Sequence, residues 1–381
     1  GIRMDAITGF IGGGLGYVLP FLLVLTVVVF IHESGHFWVG RLFGTRIETF
    51  SIGFGRSLTS WTDRKGTVWK IGWLPLGGYV KFWGDEDATS LPDDERLARI
   101  ASDPDAARCF HFKPLWQKAL IVVAGPLANF VFAVAVFAAL YSINGIPRMQ
   151  AVADIVIEGS AAAEAGILVG DEIVSVNGEP LTDFGDLRRA ALASDGEPVV
   201  LVIRRDGRLI EISVRPQRVE NTDPFGNKVT VYQIGIGRSE GAAVEMEYLD
   251  PVSAITLGVK EVGFVIERTF AFIGGLIVGR EDTSQLSGPI GIAKASGEWA
   301  TLGAVALINL MAYLSISIGL LNLFPIPMLD GGHLLFYGIE AVRRRPMGEG
   351  AQEVALRIGL ALVLSLMLFA TWNDLMRIFW S

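Results

Sequence analysis

The sequence predicts a polytopic α-helical membrane protein of about four transmembrane helices, with a membrane-associated β-hairpin region and an inserted extracytoplasmic β-rich domain. Three observations carry this expectation. Of the 381 residues, 51% are hydrophobic and 19% charged, with 22 Phe and 9 Trp, an apolar excess over ordinary soluble proteins. The apolar residues gather in long runs near 16–40, 115–141, 302–323 and 355–371, each long enough at about 1.5 Å per residue to cross or nearly cross a bilayer. Between the second and third runs, short apolar stretches alternate with charged turns, as in a soluble β domain. A formal net charge of −8 argues against a nucleic-acid binder, which is usually basic.

The first run is uncharged from Gly16 to Ile31 and stays apolar through Phe37-Trp38-Val39. A cleaved leader is the competing reading, but the His32–His36 stretch at the end of the run would lie at or beyond its cleavage point, so the span is expected to be retained. It ends in Phe30-Ile31-His32-Glu33-Ser34-Gly35-His36. His32 and His36, four apart, share one face of a helix. Both imidazoles can therefore reach one Zn²⁺, and Glu33 can take a proton from water beside it. The bland alternative is two helix-face histidines satisfied by other polar groups. It is disfavoured because three ionisable groups in an apolar span are costly and normally functional. With only four histidines in the chain, a chance match is rare.

Arg41, Arg46, Arg56, Arg64, Lys65, Lys70 and Lys81 follow this span, while only Arg3 and Asp5 precede it. The positive-inside rule then puts residues 41–114 in the cytoplasm and the metal motif toward the cytoplasmic end of its helix. Residues 46–83 read as strands: Arg46–Gly55, then Val68–Trp73 and Tyr79–Trp83 flanking the turn-prone Pro75-Leu76-Gly77-Gly78. Such a sheet can enter the membrane only where protein or an aqueous cavity covers its backbone; a small cytoplasmic hairpin is the alternative. Residues 84–108, with Asp85-Glu86-Asp87 and Asp93-Asp94-Glu95, read as a charged, solvated loop or short helix. The single cysteine, Cys109, excludes an intrachain disulfide and reads as an inert thiol.

The second span, about 115–141, is interrupted by Gly125-Pro126-Leu127-Ala128-Asn129-Phe130, where small residues permit close packing and Asn129 is expected to bond a neighbouring helix. Residues 148–237 hold strand-like runs at 153–157, 173–178, 199–204 and 209–214 and a helical stretch, Asp183 to Ala193. Residues 238–300 read as a connector. Within it Lys260, Glu261, Glu267 and Arg268 favour an amphipathic helix over a further span. The third span ends in Asn322-Leu323-Phe324-Pro325-Ile326-Pro327-Met328-Leu329-Asp330-Gly331-Gly332-His333, whose prolines and glycines are not expected to continue a regular helix. Asp330 offers the third protein ligand that the first motif lacks; a simple Asp-Gly turn is the alternative. His333, three residues beyond Asp330, is expected to make a structural hydrogen bond; a reserve ligand is the alternative. Arg343-Arg344-Arg345 puts residues 338–352 inside, so both motifs fall at one depth on the cytoplasmic side. The last span runs outward to Trp372 and Trp380.

Two resemblances follow from these residues. Gly159-Ser160-Ala161-Ala162-Ala163-Glu164-Ala165-Gly166-Ile167-Leu168-Val169-Gly170-Asp171-Glu172-Ile173, followed by Val176-Asn177-Gly178, resembles a PDZ domain of the bacterial protease-associated type, present once. His32-Glu33-x-x-His36, Asn322-x-x-Pro325-x-Pro327-x-Leu329-Asp330-Gly331 and the inserted domain together resemble the site-2 protease family of intramembrane zinc metalloproteases, in its bacterial group related to the regulator of sigma-E protease. Ile52-Gly53-Phe54-Gly55, Pro75–Lys81 and Gly125–Phe130 match that group's texture. Better-known members carry two PDZ units.

The resemblance implies zinc held by His32, His36 and Asp330, with Glu33 as general base and then proton donor. It implies that Asn322, with the Pro325-x-Pro327 bend and Gly331, helps clamp an unwound substrate, and that the sheet at 46–83 adds the substrate as a strand. The implied membrane core is 1–145 and 301–381, with the PDZ domain at 148–237, in the bacterial inner membrane. Implied substrates are single-span membrane proteins already trimmed outside, such as anti-sigma factors or remnant signal peptides, with a peptide or free C-terminus at the PDZ groove. The rival readings are a catalytically inactive PDZ-bearing scaffold and a metal transporter.

Overall fold

The computed structural model describes residues 2–85, 94–148, 150–181, 183–222, 228–239, 245–345 and 347–380. Two compact units result, one formed by Gly1–Phe137, Ile255–Glu267 and Leu286–Ser381, the other by Ala138–Ala254 and Arg268–Gln285.

The first unit begins with a long helix, α1 (Ile2–Leu42), followed by two long strands, β1 (Ile47–Thr62) and β2 (Val68–Phe82), a short helix α2 (Asp94–Ile100), and α3 (Leu115–Ile143). Along α1, Val24, Val28, His32, His36 and Gly40 are all buried, a stripe at four-residue spacing that faces protein. The metal motif continues this stripe. Gly35 and Gly125 let α1 and α3 approach closely, since a Cβ on Gly35 would stand 2.1 Å from the Ala124 carbonyl oxygen. The Gly125–Phe130 segment, expected to interrupt the second span, does not. Helix α3 runs through Pro126 unbroken, because a proline inside a membrane helix removes one hydrogen bond that neighbouring helices can compensate.

The region expected to hold three short strands holds two long bent ones. Phe50 pairs with both Val80 and Trp69, and Ser51 with both Tyr79 and Lys70, while Trp61 pairs with Trp69. Each strand therefore folds back on its partner, and the residues of β1 near 49–52 are bonded on both edges. Gly53 and Gly55, with positive φ of 83° and 81°, make the bend; glycine adopts these angles without steric cost. Phe37 of α1 packs edge-on against Phe50, ring centroids 5.2 Å apart, in a buried cluster with Val80, Phe82, Phe110 and Ile121. That cluster fixes the sheet against α1.

Most of the acidic run at 85–87 lies outside the described residues, but Asp85 is fully buried, not solvated. Its Oδ2 accepts a hydrogen bond from the Phe82 amide at 2.8 Å, and its Oδ1 lies 2.7 Å from His111 Nε2. Burial pushes the Asp85 carboxyl up, against the pull of His111. Cys109 is buried with its Sγ donating to the Trp83 carbonyl at 3.1 Å, and burial pushes its thiol up, as fits an inert thiol.

The second unit carries β3 (Ile146–Arg148), β4 (Ile155–Val156), α4 (Ala161–Glu164), β5 (Glu172–Val176), β6 (Glu179–Pro180), α5 (Phe184–Ala193), β7 (Val199–Arg205), β8 (Arg208–Val214), β9 (Gln217–Thr222), β10 (Lys228–Gln233), β11 (Ile236–Gly237) and β12 (Glu245–Glu247). Strands run β6-β5-β7-β8 in its main sheet, and β9–β10, β4–β11 and β3–β12 pair separately. Asp183 caps α5 in a reciprocal capping box with Asp186. The core is built from Ala153, Ala162, Ile167, Ile173, Leu187, Leu201 and Ile203.

The chain continues as α6 (Pro251–Ile277), α7 (Pro289–Thr301), α8 (Ala304–Asn322), α9 (Asp330–Arg343) and α10 (Glu349–Trp380). Asp250 caps α6. Among the described residues, four helical stretches are long and apolar enough to cross a membrane: Gly16–Leu42, Leu115–Ile143, Ala304–Asn322 and Gly350–Arg377. Helix α6, with its four interspersed charges, is not one of them. Helix α8 stops at Asn322, and residues 323–329 are non-helical. Gly331 and Gly332 depart from expectation, for both lie inside α9. A Cβ there would stand 2.2 Å from the carbonyl oxygens of Leu323 and Phe324, or 2.4 Å from that of Ile326. The glycines are needed for close approach, not to break a helix.

Candidate metal centre

His32, His36 and Asp330 meet in one cavity although about 300 residues separate them in sequence. Helix α1 supplies the two imidazoles from one face, and the first residue of α9 supplies the carboxylate. Asp330 Oδ2 lies 3.1 Å from His32 Nε2 and 3.6 Å from His36 Nε2, and the two Nε2 atoms are 3.2 Å apart. Both histidines are buried. Two imidazole nitrogens and one carboxylate oxygen directed at a common point match the donor set of a catalytic zinc site that leaves a fourth position open.

The ring orientations fit the same use. His36 Nδ1 lies 2.9 Å from the Ile121 carbonyl oxygen. A carbonyl only accepts, so Nδ1 carries the proton and Nε2 presents its lone pair to the cluster. His32 Nδ1 faces the Asn129 amide, with Asn129 Nδ2 at 3.3 Å. Asn129 is fully buried, and its Oδ1 has no hydrogen-bond partner among the described residues. Amide nitrogen and oxygen have nearly the same shape. Turning the amide over sets Oδ1 against His32 Nδ1–H and leaves His32 Nε2 free as a ligand atom.

Asn129 is expected, from its place in an apolar span, to serve helix packing. It packs as well, since its main-chain oxygen accepts from Ser315 Oγ at 3.0 Å and Gly319 lies against its Cβ. The side chain has the second task of meeting His32. A polar residue in an apolar span was visible in the sequence; its proximity to His32 was not.

The cavity measures about 330 Å³ and is lined by His32, Glu33, His36, Asn322, Asp330 and His333, with Gly78, Tyr79 and Val80 of β2 along one side. Glu33 lies beside both histidines in this cavity. Pro325, Pro327 and Gly331 do not line it; they shape the 323–329 segment that carries Asp330 into place. His333 also lines the cavity, outside the three-residue cluster.

The profile of peptidase family M50 matches residues 20–366. A protein of Agrobacterium fabrum that carries a zinc-metalloprotease name is 48% identical over 372 residues, covering 97% of each chain. Another such protein, from Rhizobium meliloti, is 47% identical over 96% of this chain and 98% of its own. Metalloprotease MmpA of Caulobacter vibrioides is 40% identical over 96% of each chain. The donor set, the four apolar helices and these likenesses agree, and the chain belongs to peptidase family M50, the site-2 proteases, as a membrane zinc metalloprotease.

Proposed function

We propose that the chain cleaves peptide bonds within the transmembrane segments of single-span membrane proteins. His32, His36 and Asp330 hold the zinc, and Glu33 is the general base and then the proton donor. One observation carries this reading: the converging donor set, with Glu33 beside it, opens onto a strand edge inside a unit whose helices can span a membrane. Residues 78–82 pair with β1 along one edge, and among the described residues no strand pairs with their other edge.

The order of events follows from backbone chemistry. A helical substrate satisfies its carbonyls within its own hydrogen bonds, so it must unwind before attack. An unwound segment leaves donors and acceptors that cannot remain bare in a membrane. The edge at Gly78–Val80 offers complementary groups by strand addition. Asn322 projects into the same cavity, and the bend through Pro325 and Pro327 shapes the wall that holds the strand. Zinc bound to the three ligands supplies Lewis-acid polarisation and makes a nucleophile available at neutral pH. Glu33 removes a proton from the attacking water and returns it to the leaving nitrogen.

The second unit we read as a PDZ domain on the extracytoplasmic side of a bacterial inner membrane. Its cavity of about 230 Å³, between Phe184, Leu187 and Ala191 of α5 and the Val231–Ile236 segment, suits an extended peptide or free C-terminus. Substrates of this class would be anti-sigma-factor-like proteins or remnant signal peptides, trimmed outside before entry.

The test pairs zinc content with cleavage of a single-span substrate in detergent, for wild type and Glu33→Gln. The variant is expected to keep about one zinc per chain and lose cleavage. A variant that still cuts removes Glu33 as base. Wild type without zinc overturns the ligand assignment, and zinc without cleavage of any membrane segment favours the scaffold reading.

A further inference from the structure

Just beyond the last turn of α1, away from the metal centre's cavity, Arg41, Thr45, Arg46, Arg64, Lys65 and Arg108 surround a second cavity of about 420 Å³. Three segments build it: the end of α1, the turn between β1 and β2, and the residues before α3. Arg46 N–H donates to the Arg108 carbonyl at 2.9 Å, and Arg41 bonds Asp63 and, at 3.1 Å, Thr67 Oγ1. The Arg41 guanidinium is thus held in place, and the main chain at Arg46 is tied to that at Arg108.

Their charge is not balanced locally. Asp63 pairs with Arg41, and Asp105 pairs with Arg108 at 3.3 Å. Among the described residues Arg46, Arg64 and Lys65 form no ion pair; Arg46 instead lies over the Trp83 ring, 4.7 Å from its centroid. Thr45, only 4% exposed, lines the same cavity, and its Oγ1 has no hydrogen-bond partner among the described residues. A buried hydroxyl without a partner is costly. Cations lining one cavity with an orphaned hydroxyl suit a phosphate, whose oxygens can accept from each of them.

The cavity also lies at the level where a bilayer presents phosphate. The candidate span ends at Leu42. Next to it Trp38 and Leu42 are 63% and 78% exposed, and Phe43 meets exposed Trp116 edge-on at 5.4 Å. Exposed aromatic and aliphatic groups at a span's end mark the membrane interface, so acyl chains would lie on them while a headgroup entered the cavity. We propose that this cavity binds a phosphate group and that an anionic phospholipid of the surrounding leaflet supplies it. Such a lipid would tie the end of the helix that carries His32 and His36 to the turn of the sheet beside it.

The experiment uses the full-length protein in detergent, with native mass spectrometry counting retained dioleoylphosphatidylglycerol against dioleoylphosphatidylcholine. Inorganic phosphate is a separate arm, and zinc content and thermal unfolding check the fold. Wild type is expected to retain phosphatidylglycerol in preference. Arg64→Gln, exposed and unpaired, should weaken this about fivefold, and Arg46→Gln/Arg64→Gln/Lys65→Gln about a hundredfold, since each basic residue near an anionic surface contributes similarly. Arg343→Gln/Arg344→Gln, an exposed cationic pair elsewhere, should leave the preference intact. An equal loss in that control, or no loss in the triple variant, would mean diffuse attraction and overturn the site. Wild type stabilised by inorganic phosphate but indifferent to phosphatidylglycerol would overturn the lipid as its source.

Discussion

The Asn129 amide lies 3.3 Å from His32 Nδ1, on the side of the ring turned away from Asp330. A metal-ligating histidine depends on what holds its other nitrogen, because that partner sets both the tautomer and the ring plane. Asn129 holds His32 as the Ile121 carbonyl holds His36.

Asn129→Leu should therefore weaken zinc binding about 10–100-fold, read by competition with a chelator, with cleavage falling in parallel. Leucine fills a similar volume, and the bond from Ser315 reaches the main chain, so thermal unfolding of the zinc-free protein should move little. Asn129→Asp, which restores an acceptor, should recover most of the affinity. Equal affinity in the leucine variant would show that Asn129 serves packing alone.

Gly125 sits under the histidine pair. A Cβ there would stand 2.3 Å from His36 Nε2 and 3.0 Å from His32 Cε1, closer than real side-chain carbons come to such atoms. Gly125→Ala should displace the His36 ring and abolish stoichiometric zinc. Alanine favours the helix over glycine by about 1 kcal/mol, so α3 itself should persist, which circular dichroism would verify. Full zinc content in this variant would mean that α1 and α3 are not packed as described.

How much of this was legible in the sequence depended on whether a signal was local. His32 and His36 declare themselves by helical spacing, and the four spans by length and apolarity, because both properties belong to contiguous residues. Asp330 stands in a local Asn322-x-x-Pro325-x-Pro327-x-Leu329-Asp330-Gly331 motif, and its place at the depth of the histidines follows from topology, but its distances to His32 and His36 carry no mark in the sequence. Gly331 and Gly332 misled for a physical reason. Glycine permits both a break and a close approach, and only the Leu323, Phe324 and Ile326 carbonyls, visible in three dimensions, decide between them. Pro126 misled likewise, since the compensation it needs comes from outside its own helix. The doubled pairing of Phe50 and Ser51 was out of reach, because strand periodicity does not report which edges are used. Asp85, in an acidic run, hid its burial behind charged neighbours.

Asp374 supplies a helix cap from another helix. It is buried in α10, and its two carboxylate oxygens accept from the amides of Gly288 and Gly291, at 3.1 and 2.9 Å, at the start of α7. Arg377 donates to it at 3.0 Å. The first amides of a helix have no partner within it, and Gly288 has no side chain to serve them. Asp374→Ala should cost about 1–3 kcal/mol, seen as a lower Tm. Amide exchange should quicken first at residues 288–292. Asp374→Asn, which keeps one acceptor, should lose less. Helix α7 packs on α1, so zinc loading is expected to fall with temperature sooner in the alanine variant. An unchanged Tm would mean that water serves these amides as well as the carboxylate does.

Asp171 makes stability depend on pH in the second unit. Both its oxygens accept from Arg205, at 2.8 and 2.6 Å, and Oδ2 also accepts from the Leu168 amide at 2.8 Å. The Arg205 hydrogen bonds, aided by the Leu168 amide, hold its carboxyl below the usual range despite burial. A carboxyl depressed in the folded state contributes stability that is fully present above its unfolded pKa, about 3.9. That contribution is lost as pH falls below this value toward the folded one. At pH 7 Asp171→Asn should therefore open the Gly166–Val176 region more readily, by about 1–3 kcal/mol, as read by amide exchange against wild type at the same pH. The gap between the two proteins should narrow as pH falls below about 4, because protonation of wild-type Asp171 removes the same charge that the substitution removes. A gap independent of pH would show that the contact acts through shape and not through the ionised carboxylate.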